Sequence, residues 1–304
     1  MPNDSVIHSV LDRACPDLTV TSIRPLDAGY TSKQWIAETD QGTLLVKVPQ
    51  RDRNPDHLHK LVASTRVAAD HGIPVVRHRE VVDHDPDVNG PVLIQDFHEG
   101  DTAADVWDTL DEDTRKTLCR DLGDVIGRVH SIKGTTFGDA KTLEESVETE
   151  VTDLLTRTDA FPDTTALHNA ITAAVSRLDS TASVPTMVHG DLWLPNFLVA
   201  KNRITCVLDF EHATYTDRFR DFGKLDEHIF DKFPAGRAVF LDAYATACPL
   251  PDDWEHRVDL AHVLHALTMH VYFRTWSPQW APQYAQQVEN WLARGPQRTL
   301  TATD

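Results

Sequence analysis

The chain has 304 residues, 41% of them hydrophobic by type, enough for one large domain or two smaller lobes. No apolar run approaches the roughly 18 residues of a membrane span, and Met1-Pro2-Asn3-Asp4-Ser5 lacks the basic-then-apolar pattern of a secretory signal. A formal charge of −18 argues against general affinity for nucleic acid, while it is compatible with a cationic small partner or simply a solvated acidic surface.

The N-terminal third reads as strand-rich. Val20 to Leu26 and Trp35 to Thr39 flank a loop, Asp27-Ala28-Gly29-Tyr30-Thr31-Ser32-Lys33, and Gln41-Gly42 turns the chain into a strand over Thr43 to Val48. Pro55 stands where a helix can start; Leu58, Leu61, Val62, Thr65 and Ala69 share a face before Gly72 stops it. Apolar runs over Val75 to Val82 and Val92 to Gln95 follow, then a polar connector from Asp96 to Asp101. Beyond it Leu118, Leu122, Val125, Ile126 and Val129 mark a helix ending near His130, and helical stretches are expected over 142–157, 164–180, 219–230, 235–247 and 254–275. The expected organisation is α+β: a small antiparallel-sheet N-terminal lobe (1–95), a hinge (96–101) and a larger, mainly helical C-terminal lobe (102–304).

One constellation carries the chemistry. His189-Gly190-Asp191 is followed by Asn196 five residues after the aspartate, and by Asp209 thirteen residues later. Between them lie two short apolar runs, Phe197 to Ala200 and Ile204 to Leu208, joined by the polar Lys201-Asn202-Arg203, the pattern of a β-hairpin. A hairpin brings its open ends together, so Asn196 and Asp209 should lie side by side, with Asp191 on the loop just before. Two oxygen ligands at one point, and a carboxylate nearby to aim a hydroxyl, suit a magnesium-nucleotide site that transfers a phosphoryl group. Each residue alone would read as a turn former or a strand cap. His189 is expected to fix the loop by hydrogen bonding.

Asp221-Phe222-Gly223 offers a competing metal aspartate, but it follows a charged stretch, whereas Asp209 leaves an apolar strand. Asp209 is therefore the expected ligand, and Asp221 is expected to hold the catalytic segment through backbone hydrogen bonds. Only eleven residues separate the two, too few for a platform that binds a peptide, so a small-molecule acceptor is expected.

Lys47 interrupts a strand that is apolar on both faces and needs an anion if it is buried, which nucleotide phosphates would supply; on an edge strand it would simply face water. The Gly29–Ser32 loop could cover phosphates with backbone N–H groups and a hydroxyl, or be an ordinary hairpin loop. Asp226 and Glu227 could meet a cationic acceptor or be a solvated acidic face. His262, His265 and His270 lack metal-pair spacing and read as core or rim residues, or with Trp276 and Trp280 as an aromatic pocket wall. The four cysteines are widely spaced with no C-x-x-C pair, and Cys119 and Cys206 read as core positions in a cytoplasmic protein. Aspartate (35) outnumbers glutamate (12), a bias that suggests a salty cytoplasm and says nothing of chemistry.

The segments VHGDLWLPNFLV (188–199) and ITCVLDFEHA, with the later Asp217…Asp221 spacing, resemble the aminoglycoside phosphotransferase and choline-kinase-like family. LLVKV, HGIPVV and DLGDVIGRVHSI extend the similarity over most of the chain. The resemblance implies a two-lobed protein-kinase-like fold and Mg-ATP or Mg-GTP as phosphoryl donor. It implies Asp191 as catalytic base, Asn196 and Asp209 as metal ligands, and Lys47 on the phosphates. The glutamate that the family pairs with its strand lysine has no counterpart near Lys60; Asp56 is the only carboxylate on the first part of that helix. The expected acceptor is a small cationic hydroxyl compound of aminoglycoside type, with choline or ethanolamine, homoserine, and sugars or fructosamines as alternatives. A non-catalytic nucleotide-binding regulatory module is the alternative of a different class. Neither nucleic acid nor a membrane is an expected partner.

Overall fold

Five strands, β1 (Val20–Leu26), β2 (Ser32–Thr39), β3 (Gly42–Pro49), β4 (His78–Asp85) and β5 (Gly90–Asp96), form one antiparallel sheet in the order β1-β2-β3-β5-β4. The computed structural model describes residues 3–27 and 31–295. Alternation sends Leu44, Val46 and Val48 to one face, where they pack with Trp35, Val92 and Ile94. A helix that the sequence pattern does not announce, α1 (Asp4–Ala14), covers that face with Ile7, Val10 and Leu11. Its start is set by Asn3, whose side chain accepts the Val6 N–H at 3.0 Å.

The helix α2 (Pro55–Asp70) begins as expected, with Asn54 as cap and Pro55 in the first turn, and Gly72 beyond its end takes φ +73°. The next strand starts three residues later than the apolar run suggests. Val75 instead bridges to Val207, whose N–H donates to the Pro74 carbonyl at 2.7 Å, so the first part of the run supports a different strand. A two-residue strand, β6 (Asp101–Thr102), and a single helical turn, α3 (Ala103–Val106), follow.

By its contacts the chain divides into two units, one running to Val106 and taking in Pro195–His212, the other made of Trp107–Leu194 and the chain from Ala213 on. The inserted segment is the expected hairpin, β8 (Phe197–Ala200) and β9 (Arg203–Val207), with β6 paired to β8. Its turn is two residues rather than three. Lys201 (φ 51°) and Asn202 (φ 60°) both take the left-handed conformation of the tightest hairpin turns, and Arg203 already pairs with Ala200.

The second unit is mainly helical: α4 (Glu112–His130), α5 (Leu143–Thr156), α6 (Thr164–Val175), α7 (Arg220–Leu225), α8 (Pro234–Ala247), α9 (Trp254–Trp276) and α10 (Ala281–Arg294). The expected helical stretches all fall on these elements; α10 has no counterpart among them. Val151, Leu167, Ile171, Leu267, Val288 and Trp291 share one core drawn from α5, α6, α9 and α10. A short antiparallel pair, β7 (Thr186–Val188) and β10 (Thr214–Thr216), leads into the His189 loop on one side and towards Asp217 on the other. Past α7 the helix widens into a π turn over Asp226–Phe230. Cys119 and Cys206 are buried free thiols, as core positions require. Among the described residues no helix is long and apolar enough to cross a membrane.

Candidate active site

The hairpin closes as its sequence demands. Leu208 donates its N–H to the Asn196 carbonyl at 2.8 Å, one step beyond the Phe197–Val207 pair, so Asn196 and Asp209 flank the same open end. Asn196 is buried (7% exposed) and Asp209 is half-buried at φ +67°, a left-handed backbone that turns the chain sharply out of β9. A neutral oxygen and a carboxylate at one point are the hard donors that Mg²⁺ takes, the rest of its shell coming from water and phosphate. Among the described residues no group of three or more His, Cys, Asp or Glu could hold a metal ion.

In the same unit Lys47 lies on β3, an interior strand with β2 and β5 on either side, so the edge-strand alternative does not apply. It makes no ion pair with a described residue, and Asp56 is exposed in the first turn of α2. Register puts polar company on its face of the sheet. Leu45 pairs with Gln95 and Gln95 with His78, so Lys47, Gln95 and His78 project to one side. Gln95 is 3% exposed, yet its Oε1 is buried without a hydrogen-bond partner in the protein, as are both ring nitrogens of His78. Burial, with Lys47 adding to it and Asp209 opposing, pushes His78 down to about 4, so its ring is neutral at physiological pH. An ammonium and three unsatisfied polar atoms on one face fit a polar, anionic ligand such as a nucleotide; buried polar groups otherwise find partners. Sequence reasoning missed both His78 and Gln95, although a glutamine ending the run Val-Leu-Ile is the visible signal. Ser32 opens β2 opposite Pro49, and Gly29 lies outside the described residues.

In the second unit the His189 loop is held from one helical turn. Asp221 on α7 is 2% exposed; its Oδ2 accepts the His189 N–H at 2.8 Å and its Oδ1 the Gly190 N–H at 2.8 Å. His130 adds a ring nitrogen at 3.0 Å and leans in turn on the Tyr244 hydroxyl at 2.9 Å. Burial alone would raise the Asp221 pKa, but the His130 hydrogen bond, the nearby histidine charges and the His189 N–H outweigh it and keep it below the usual carboxylate range. Asp221 is thereby committed to backbone. Gly190 takes φ +81°, and the fully buried His189 accepts the Asp191 N–H on Nδ1 at 3.2 Å, so the aspartate is presented half-buried from a fixed backbone. Lys224, also on α7, donates its ammonium to Asp191 Oδ1, a contact that no local pattern in the sequence foretells.

Asp226 and Glu227 are both engaged within this unit. Asp226 is 6% exposed and bridges Arg237 (2.9 Å) and His262 (2.8 Å). Glu227, with a quarter of its side chain exposed, accepts from His265 at 2.7 Å and from the Tyr284 hydroxyl. Two of the three C-terminal histidines thus serve these carboxylates, and His270 bonds Thr158 and the Ala281 carbonyl. Trp276 and Trp280 are more than half exposed.

No curated protein sequence matches the chain. Solved structures share its fold at low identity. The GDP complex of wild-type aminoglycoside 2′-phosphotransferase-IIIa superposes with a TM-score of 0.66 at 15% identity, covering 96% of this chain and 99% of that one. The gentamicin complex of APH(2″)-IIa gives 0.68 at 17%, covering 96% and 97%, and the macrolide 2′-phosphotransferase MphH from Brachybacterium faecium gives 0.62 at 17%, covering 93% and 97%. These are kinase-like α+β folds with an antiparallel sheet in the N-terminal part and helices in the C-terminal part, as expected from the sequence. Residues 22–257 match the model of one family, a span that holds Lys47, Asp191, Asn196, Asp209 and Asp221, and the chain therefore belongs to the phosphotransferase enzyme family.

Proposed function

We propose that the protein is a small-molecule kinase that moves the γ-phosphoryl group of ATP or GTP to a hydroxyl of a small acceptor. The lobes proposed for it are those expected from the sequence, a nucleotide-binding lobe (1–95), a hinge (96–101) and a catalytic lobe (102–304). Lys47 would meet the phosphates, with Gly29 and Ser32 on the covering loop. Asn196 and Asp209 would hold Mg²⁺, which when bound neutralises phosphate charge and orients the donor. Asp191 takes the acceptor's proton while His189 and Asp221 keep its loop in place. The observation that carries the reading is that loop: two backbone N–H groups pinned on a buried carboxylate so that the next residue, Asp191, is aimed rather than solvated. A protein with little covalent chemistry to perform needs such fixed positioning above all.

An aminoglycoside-type cation is the acceptor proposed from the acidic pair, with Glu227 the more accessible of the two. A second reading, a neutral sugar-bearing acceptor, is favoured by the engagement of Asp226 with Arg237 and of Glu227 with His265 and Tyr284. Phosphoryl transfer from γ-labelled ATP and GTP with Mg²⁺, across aminoglycosides, macrolides, choline, ethanolamine, homoserine and sugars, tests both. Asp191→Asn should lower transfer on the order of 10²–10⁴-fold while sparing nucleotide affinity. Asp209→Ala should lose the Mg²⁺-dependent step. Full activity in either variant refutes the assignment; nucleotide binding without transfer to any acceptor favours a regulatory module.

A further inference from the structure

Lys224 sets a cation against the Asp191 carboxylate. Lys224 Nζ donates to Oδ1, and the two side chains are only 19% and 17% exposed, so water screens the pair weakly. The lysine is further held by the Trp193 ring, whose centroid lies 5.3 Å from Nζ. Trp193 itself rests against His228, ring centroids 5.9 Å apart.

The placement follows from one helical face. Lys224 is three residues past Asp221 on α7, so the turn that pins the His189 and Gly190 N–H groups also delivers the ammonium to Asp191. The depth of α7 is fixed by Gly223, where a Cβ would come within 2.6 Å of the His265 Cβ on α9. Three successive residues of the loop are therefore gripped from one helix, two through backbone and the third through its carboxylate.

We propose that Lys224 is a positioning residue for the transfer, holding the Asp191 carboxylate through Oδ1 in the orientation from which it meets the acceptor hydroxyl. This rests on the reading of Asp191 as the base. In the step it serves, the acceptor oxygen forms a bond to the γ-phosphorus and the bond from that phosphorus to the β,γ-bridging oxygen breaks. The nucleoside diphosphate leaves with the electron pair, the hydroxyl proton passes to the Asp191 carboxylate, and Lys224 keeps its own proton. An ammonium is suited to this because it has no lone pair to compete for the transferred proton, and holding the carboxylate in one orientation spares the transfer that ordering cost.

The test uses the full chain with MgATP or MgGTP, following phosphate release with water as acceptor and transfer to the best acceptor found. Lys224→Met should lower kcat about 10- to 100-fold and leave the nucleotide KM within about twofold, with a far-ultraviolet spectrum and thermal midpoint close to wild type. Lys224→Arg should recover part of the loss, because a guanidinium can hold the same oxygen. Added methylamine or ethylamine should restore Lys224→Ala saturably, whereas methanol should not. A wild-type kcat in Lys224→Met overturns the inference. So does a loss that follows the thermal midpoint and answers to neither Arg nor amines, since that is the mark of a merely structural contact. An active wild type with an inactive Asp191→Asn and an indifferent Lys224→Met removes this inference alone; a wild type inactive towards every acceptor removes the kinase reading and this inference with it.

Discussion

At Glu227, burial and partners act in opposite directions. Desolvation raises the carboxyl pKa, while hydrogen bonds from His265 and Tyr284 and the neighbouring histidine charges bring it down to about 2 from an ordinary 4.5. His265 is itself pushed below its usual value, burial outweighing the pull of Glu227 in the other direction. A folded pKa below the unfolded one means the stabilisation is complete above about pH 4.5 and lost as pH falls towards about 2. Glu227→Gln should therefore be less stable than wild type at pH 7 by about 2 kcal/mol, and the gap should close in that acid window. Urea midpoints at pH 7, 4 and 3 check this, and a gap that does not change with pH would rule it out. The residue scale is also where sequence is least informative. Lys224 and Asp191 stand 33 residues apart, and Glu227 and Tyr284 stand 57 apart. No local pattern links such pairs, because which side chains meet is decided by how α7, α9 and α10 pack.

Among the elements, α4 and α8 approach so closely that α4 has given up side chains. A Cβ at Gly123 would lie 2.3 Å from the Phe240 carbonyl, and one at Gly127 would lie 2.8 Å from the Ala247 Cβ. Glycine inside a helix costs about 1 kcal/mol against alanine, so Gly123→Ala would stabilise an isolated α4. In the folded chain the clash with backbone should win, with a net loss of about 2 kcal/mol and a lower denaturation midpoint. A variant as stable as wild type would show that the helices can move apart freely. The same helix brings His130 to Asp221, 91 residues away, so a loosened α4–α8 contact should reach the His189 loop as well. Helix and strand positions are legible because their signals are local: Asn54-Pro55 opens α2, Gly72 ends it, and an apolar run after the Gln41-Gly42 turn marks β3. The later start of β4 is not, since Val75 and Val76 have an apolar pattern that suits either β4 or the contact with β9, and the bridge to Val207 decides it. The π turn over Asp226–Phe230 leaves no trace in composition.

For the molecule as a whole, net charge governs how stability responds to salt. With a formal −18, self-repulsion favours expansion, and salt should relieve it within a Debye length of about 10 Å at 0.1 M. The thermal midpoint should rise as NaCl is taken from about 10 mM to about 0.5 M, where the screening length is only a few ångströms. A midpoint that falls instead would mean that exposed, salt-screened pairs such as Lys116 with Glu112 and Arg157 with Asp153 outweigh the net field. By itself the sequence determined the family, most of the longer strands and helices between α1 and α10, and the hairpin that sets Asn196 beside Asp209, because each is written within a few residues or a short turn. Only the tertiary structure decided that β3 is interior, that His78 and Gln95 share the face of Lys47, that Asp221 grips the His189 loop, and that Lys224 reaches Asp191. Those contacts join distant segments, and they form because burying the apolar faces of the sheet and helices fixes where every polar side chain between them must point.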